Sequence, residues 1–156
     1  MDIKIRSKSG NFKFRVGGII KKGDKYLVVK MNRNDFYCLV GGHVGIGEDT
    51  QTAVVREIKE ELCKDVRVVS LSAIIENFFT NKKGKKFHEL CFAYKLEVLD
   101  EIEIKDFVRI ENDNGEMVRL EFKWLTIEEM RQSFRPKILV DAIEKDEFAH
   151  LIKKEY

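Results

Sequence analysis

The sequence predicts an α/β domain, an α/β/α sandwich with a mixed β-sheet between helices. Three observations carry that expectation. Apolar and alternating runs of strand length recur from about residue 12 to residue 125, separated by turns rich in Gly, Asn, Asp and Lys. One long segment, 50–62, has no Gly or Pro and repeats its apolar residues every four positions. A second helical pattern follows Pro136, the chain's one proline. A sheet with one helix on each side is a three-layer sandwich.

In chain order, residues 1–10 are polar and are expected to be loosely held. Phe12, Phe14 and Val16 alternate with Lys13 and Arg15, and residues 17–20 then run apolar, as a strand entering a core does. A turn at 22–25 leads to a second strand, 26–31, with Leu27, Val28 and Val29 as its buried part. After a turn at 32–35, residues 36–40 form a strand that runs into Gly41, Gly42, Gly45 and Gly47, a loop whose backbone can take positive φ or approach a ligand closely. Asp49 is a good N-cap for the helix that follows, and Val54, Ile58 and Leu62, with Ala53 and Val55 beside them, give it one buried stripe.

Residues 66–79 form a long β-branched strand, and the tip 81–86 carries four lysines. The return strand alternates cleanly, with Leu90, Phe92, Tyr94, Leu96 and Val98 directed inward. A second hairpin pairs 107–110 with 117–124 around the Asn-Asp-Asn-Gly turn at 112–115. Thr126 caps a short helix over 127–131, and Ile138, Leu139, Ala142, Ile143 and Phe148 stripe the final one. There is no internal repeat, low-complexity tract or linker, so 156 residues read as a single domain, 1–156.

Composition narrows the function classes. The net charge is +2 with both signs interspersed, which gives no electrostatic case for a DNA partner. Cys38, Cys63 and Cys91 are odd in number and form no CxxC pair, so they read as reduced, mostly buried thiols. No apolar run reaches membrane-spanning length and the first ten residues lack an apolar signal core, so a soluble cytoplasmic protein is expected.

The carboxylates concentrate in one place. Glu57, Glu60 and Glu61, at i, i+3 and i+4, fall within roughly a 100° arc of the helix surface. A solvated acidic face is the ordinary reading of such a triplet. Arg56 can pair with Glu60, but one guanidinium does not neutralise three carboxylates. Mg²⁺ suits this oxygen-donor set, as does Mn²⁺, and a carbonyl of the glycine loop would add a ligand without adding charge.

The full pattern extends beyond the triplet. Gly42, five residues, Glu48, seven residues, then Arg56-Glu57-Ile58-Lys59-Glu60-Glu61 closely resembles the box of the Nudix hydrolases. The match departs from the family at its end, where Cys63 and Lys64 stand in place of a glycine and an apolar residue. That glycine ordinarily closes the helix in the αL conformation.

The resemblance implies Mg²⁺-dependent cleavage of a nucleoside diphosphate linked to a further group, by water attacking phosphorus. It implies Glu57, Glu60, Glu61 and the Gly42 carbonyl as metal ligands, with Glu48 and Arg56 bracing the loop against the helix. Glu60 or Glu61 is the expected general base, and Glu121 resembles the distal acidic residue that some members use. His43 in the glycine loop reads as a loop residue without function, contact with the diphosphate being the alternative, and His88 on a core strand reads as structural. Phe36, Tyr37, Phe79 and Trp124, with Phe78, are candidates to stack on a base, and the lysines at 82–86 read as a solvated tip.

Sub-patterns of the family work mainly by exclusion. The region 77–80 lacks the proline of ADP-ribose hydrolysing members, and the tyrosine of dinucleoside polyphosphate hydrolases is missing. A MutT-like nucleoside triphosphate pyrophosphohydrolase, monomeric or homodimeric, is therefore the expected substrate class. Nucleotide sugars, ADP-ribose and dinucleoside polyphosphates are the alternatives. A non-catalytic nucleotide sensor and an enzyme of RNA 5′ ends are the readings from outside it.

Overall fold

The structure, a computed structural model, describes every residue except Arg33 and Asn114, and of Asp113 the backbone alone. Parts of the turns expected at 32–35 and 112–115 therefore lie outside the described residues. The elements run β1 (Lys4–Arg6), β2 (Asn11–Ile19), β3 (Lys21–Lys22), β4 (Lys25–Met31), β5 (Cys38–His43), α1 (Thr50–Leu62), β6 (Val66–Thr80), β7 (Lys86–Val98), β8 (Phe107–Asp113), β9 (Glu116–Leu125), α2 (Ile127–Ser133), α3 (Ile138–Lys145) and β10 (Ala149–Glu155).

The strands form one mixed sheet in the order β10-β6-β7-β2-β5-β4-β9-β8, with β1 on β2 and β3 on β4. The pairs β2·β7 and β6·β10 are parallel and the others antiparallel. Helix α1 covers one face, where Val54 and Ile58 pack with Val16, Ile20, Val40, Tyr94, Leu96, Phe122 and Trp124. Helices α2 and α3 cover the other, where Met130, Leu139 and Ile143 pack with Ile19, Leu39, Ala73, Ile75 and Ala93. The α/β/α sandwich is thus as expected. Ile58 is fully buried, and such a side chain contributes about 1.5–3 kcal/mol through the area it removes from water.

Several local expectations are corrected. Residues 1–10 are tied down: β1 pairs antiparallel with β2, and Ile3 N–H donates to Val44 O at 2.8 Å while Ile46 N–H donates to Met1 O at 2.9 Å. The polar side chains misled, because backbone bonds to the glycine loop hold this segment. The middle of β7 is covered on both faces, with Phe92, Tyr94 and Leu96 against the α1 layer and Cys91 and Ala93 against the α3 layer, while the side chains of Lys95 and Glu97 beyond them are open to solvent.

The final helix is shorter than its stripe suggested. Asp146 closes it at φ 52, Phe148 lies beyond it and is exposed, and the chain returns as β10, parallel to β6. Among the cysteines, Cys38 and Cys91 are half-buried, but Cys63 is exposed at the end of α1. No helix among the described residues is long and apolar enough to cross a membrane.

Candidate active site

The site forms where β5 delivers the chain into α1. Strand β5 is interior, between β2 and β4, and its Gly41-Gly42 pair lies against Val16 and Gly17 of β2. A β-carbon on Gly41 would sit 2.0 Å from Val16 O, and one on Gly42 would sit 2.3 Å from the carboxyl carbon of Glu57. Gly41 must be glycine because backbone crowds it, and at Gly42 the missing side chain seats the Glu57 carboxylate directly against the strand. Asp49 then caps α1, its Oδ1 accepting from Thr52 N–H at 2.8 Å.

At the other end of α1, Cys63 takes the αL conformation (φ 55, ψ 31) and donates its N–H to Lys59 O. The helix therefore closes with the usual geometry although the glycine is missing. Arg109 of β8 braces the same end. Its Nη1 donates to Glu60 O at 2.7 Å and also to Glu61 O, two carbonyls of the last turn that lack partners within the helix. No local signal in the sequence marks Arg109, because the contact spans nearly fifty residues.

Arg56 is the hub. Its Nε and Nη2 donate to Glu48 Oε2 at 2.7 Å and Oε1 at 2.9 Å, a bidentate pair, and Nη2 also donates to His43 O at 3.0 Å. Its Nη1 donates to Glu57 Oε1 at 3.0 Å and Glu60 Oε1 at 3.2 Å. Glu48 in turn accepts from Gly45 N–H at 2.9 Å. These bonds hold the Glu48 carboxyl down at about 2 and raise the Arg56 guanidinium further. Loop and helix are thereby locked through one side chain.

Glu61 stands apart from that hub. Burial first, then the neighbouring carboxylates Glu111 and Glu57, push it up to about 7. Burial likewise raises Glu57, against the pull of Arg56. Among the described residues no three acidic, His or Cys side chains are already gathered as a metal cage; Glu57 and Glu60 lean toward Arg56 instead.

The other expected residues scatter. Glu121 does not join the box. Leu120 and Phe122 pack in the α1 layer, so Glu121 between them points to the opposite face, where it pairs with Lys30 at 3.2 Å and with Arg119. Trp124 is buried in the α1 layer and Tyr37 in the α3 layer, so both rings are core rather than ligand surface. Phe36 lies under the Arg135 guanidinium at 5.1 Å, and Phe79 stacks on Phe87 at 5.0 Å; both are half-buried. His88 is sandwiched by Phe12 and Phe78. At the lysine tip, Asn81 Oδ1 accepts from the N–H groups of Lys83 and Lys85.

Arg15, unremarked in the sequence beyond its place in a strand, sits opposite His43. Burial and the nearby Arg15 charge hold His43 down at about 4, hence neutral at pH 7. A cleft of about 600 Å³ opens elsewhere, between Lys21, Val69, Lys95, Ile102 and Ala142, and touches none of the box residues.

Comparison with known proteins agrees with this geometry. Residues 12–145 match the NUDIX domain model. The chain is 37% identical over 87 residues to an ADP-ribose pyrophosphatase of Methanocaldococcus jannaschii, a match that covers 54% of this chain and 50% of that protein. The chain thus spans about half the length of that curated relative. Among solved structures, it resembles a NUDIX hydrolase from Nitrosomonas europaea (TM-score 0.62, 17% identity, 91% of this chain and 78% of the other). It also resembles a MutT NUDIX hydrolase from Burkholderia pseudomallei (0.61, 19%, 85% and 98%) and a UDP-X diphosphatase (0.59, 18%, 93% and 69%). With a family model that spans most of its length, this chain belongs to the NUDIX family.

Proposed function

We propose that this protein is a divalent-cation-dependent hydrolase of nucleoside diphosphate derivatives, cleaving the diphosphate by attack of water on phosphorus. One observation carries the reading: Arg56 ties Glu48, Glu57 and Glu60 together beside the Gly42 seat. Glu57, Glu60, Glu61 and the Gly42 carbonyl would hold Mg²⁺, or Mn²⁺ in its place. The donor set fits such an ion because it is all oxygen, and because burial and like charge leave Glu61 uncompensated. A bound ion supplies neutralisation of the phosphate oxygens and a more acidic water.

The side chains then divide the work. The Glu57 carboxylate is nearly enclosed (13% exposed) and fixed by Gly42 and Arg56. Glu60 is 59% exposed and free to swing away from Arg56 toward a ligand. Glu60 and Glu61 are the carboxylates placed to take the proton of the attacking water. Arg56, Glu48 and Arg109 position the helix and loop and do not touch the reacting atoms.

Among nucleoside diphosphate derivatives, ADP-ribose comes first, on the strength of the archaeal relative. Nucleoside triphosphates come second, because residues 77–80 lack the proline of ADP-ribose hydrolysing members. The test is a Mg²⁺-dependent screen of both, with nucleotide sugars and dinucleoside polyphosphates, using wild type and Glu60→Gln. ADP-ribose yielding AMP and ribose 5-phosphate supports the first reading, and triphosphates yielding monophosphate and pyrophosphate support the second. Turnover of none, or turnover unchanged in Glu60→Gln, contradicts the proposal.

A further inference from the structure

The sheet ends in two edge strands, β10 and β8. An open edge offers unpaired backbone groups to another strand, and lysine or proline on the edge is a usual protection. β10 carries Lys153 and Lys154, whereas residues 107–113 of β8 include neither lysine nor proline. Apolar side chains stand outward there instead: Val108 is 49% exposed, Ile110 54%, and Met117 of the neighbouring β9 61%. Phe107 stacks on Phe122 of the α1 layer. Phe107, Arg109 and Glu111 therefore share the α1 face, and Val108 and Ile110 the other.

The ladder fixes which backbone groups this edge presents. Asn32 N–H donates to Arg119 O at 2.9 Å, so Arg119 directs its backbone toward β4 and away from β8. Ile110 is the β8 residue opposite Arg119, and the members of such a non-hydrogen-bonded pair turn their N–H and C=O away from each other. Ile110 thus presents both groups to the open edge, as do Val108 and Asn112, two residues to either side. Among the described residues no strand pairs with that edge.

We propose that β8 pairs antiparallel with β8 of a second copy of this chain, across a twofold axis at Ile110. In this register Ile110 faces Ile110 and Val108 faces Asn112, which gives about six main-chain hydrogen bonds. Arg109 then lies opposite Glu111 of the second copy, twice, on the α1 face. An axis at Arg109 would set arginine against arginine, and one at Glu111 glutamate against glutamate; like charges directly opposite are destabilising. Axes at Val108 or Asn112 shorten the overlap. Charge and overlap select one register, with the twofold symmetry of most soluble dimers. Both bonds from Arg109 to the end of α1 come from Nη1, which leaves Nε and Nη2 for the second copy.

The test is sedimentation velocity of the full chain in EDTA, over about a hundredfold range of concentration. Wild type should dimerise reversibly. Ile110→Pro should stay monomeric while folded, because proline removes an N–H that β9 does not use. Glu111→Arg sets arginine against Arg109 and should weaken the dimer at least about 10-fold, so the test stands even if the proline variant unfolds. Register is read by air oxidation in a Cys63→Gly background, which removes the exposed thiol. Ile110→Cys should cross-link to its copy, because a hydrogen-bonded antiparallel pair holds its α-carbons about 5.5 Å apart, within disulfide reach. Val108→Cys, about 13 Å along the strand from its copy, should not. Three results overturn the proposal: a wild type that stays monomeric throughout, a dimer that Glu111→Arg and a folded Ile110→Pro both leave intact, or cross-linking of Val108→Cys in preference to Ile110→Cys.

Discussion

Gly42 and Glu57 occupy one another's space: a β-carbon on Gly42 would lie 2.3 Å from the Glu57 carboxyl carbon and 2.3 Å from its Oε2. A single methyl group therefore cannot be added to the strand without moving a proposed metal ligand. Gly42→Ala should fold, because Glu57 can swing toward solvent, but its metal-dependent turnover should fall about 100-fold, the usual cost of a misplacement near 1 Å. Steady-state kinetics beside thermal unfolding checks this; a large loss of stability with turnover kept would show that the contact serves packing alone.

Arg56 makes a bidentate pair with Glu48 and reaches two further carboxylates. Arg56→Ala leaves these acids unpaired and should lower metal-free stability by about 1–3 kcal/mol. Arg56→Lys should recover little, because an ammonium cannot form the fork. Urea denaturation of both variants in EDTA is the measurement.

Cys63 occupies an αL position (φ 55) that favours glycine. Cys63→Gly should stabilise the fold by about 1 kcal/mol, since a side chain there is strained. Equilibrium denaturation decides it, and a destabilised variant would mean that the thiol makes a contact worth more than the strain.

The Glu61 carboxyl gives a pH signature. Its folded value of about 7 lies above the ordinary carboxylate value of 4.5, so the folded protein binds the extra proton between those limits and its stability falls as pH rises through them. Without metal, Glu61→Gln should be more stable than wild type at pH 8, by on the order of 2 kcal/mol, and the gap should close below pH 4.5. His43, held at about 4, works in the opposite direction, but it is present in both proteins and cancels in the difference. Denaturation curves of the pair from pH 4 to 8 in EDTA show the sign.

The fold was legible wherever periodicity carried it. The α1 stripe, the β6–β7 hairpin and the Thr126 cap follow from spacing alone, and the cap is a full capping box with Glu129. The short pieces were not legible: β1 and β10 have mixed sequences and exist because a neighbouring strand offers its edge. The Gly42–Glu48–Arg56–Glu57 arrangement could be anticipated because its residues are close in sequence. Arg109 and Arg15 could not, since pairing between distant strands and helix ends brings them to the site. Glu121 and Trp124 misled for a related reason. Residue type suggested a ligand, while strand alternation sent one to the opposite face and the other into the core.

The most direct test of the central claim is Mn²⁺ binding, followed by water-proton relaxation, in wild type and in the Glu60→Gln, Glu61→Gln double variant. Wild type should bind the ion, and the variant should lose affinity by at least about 10–100-fold while remaining folded. Equal affinity in both proteins would contradict the assignment of these glutamates as metal ligands.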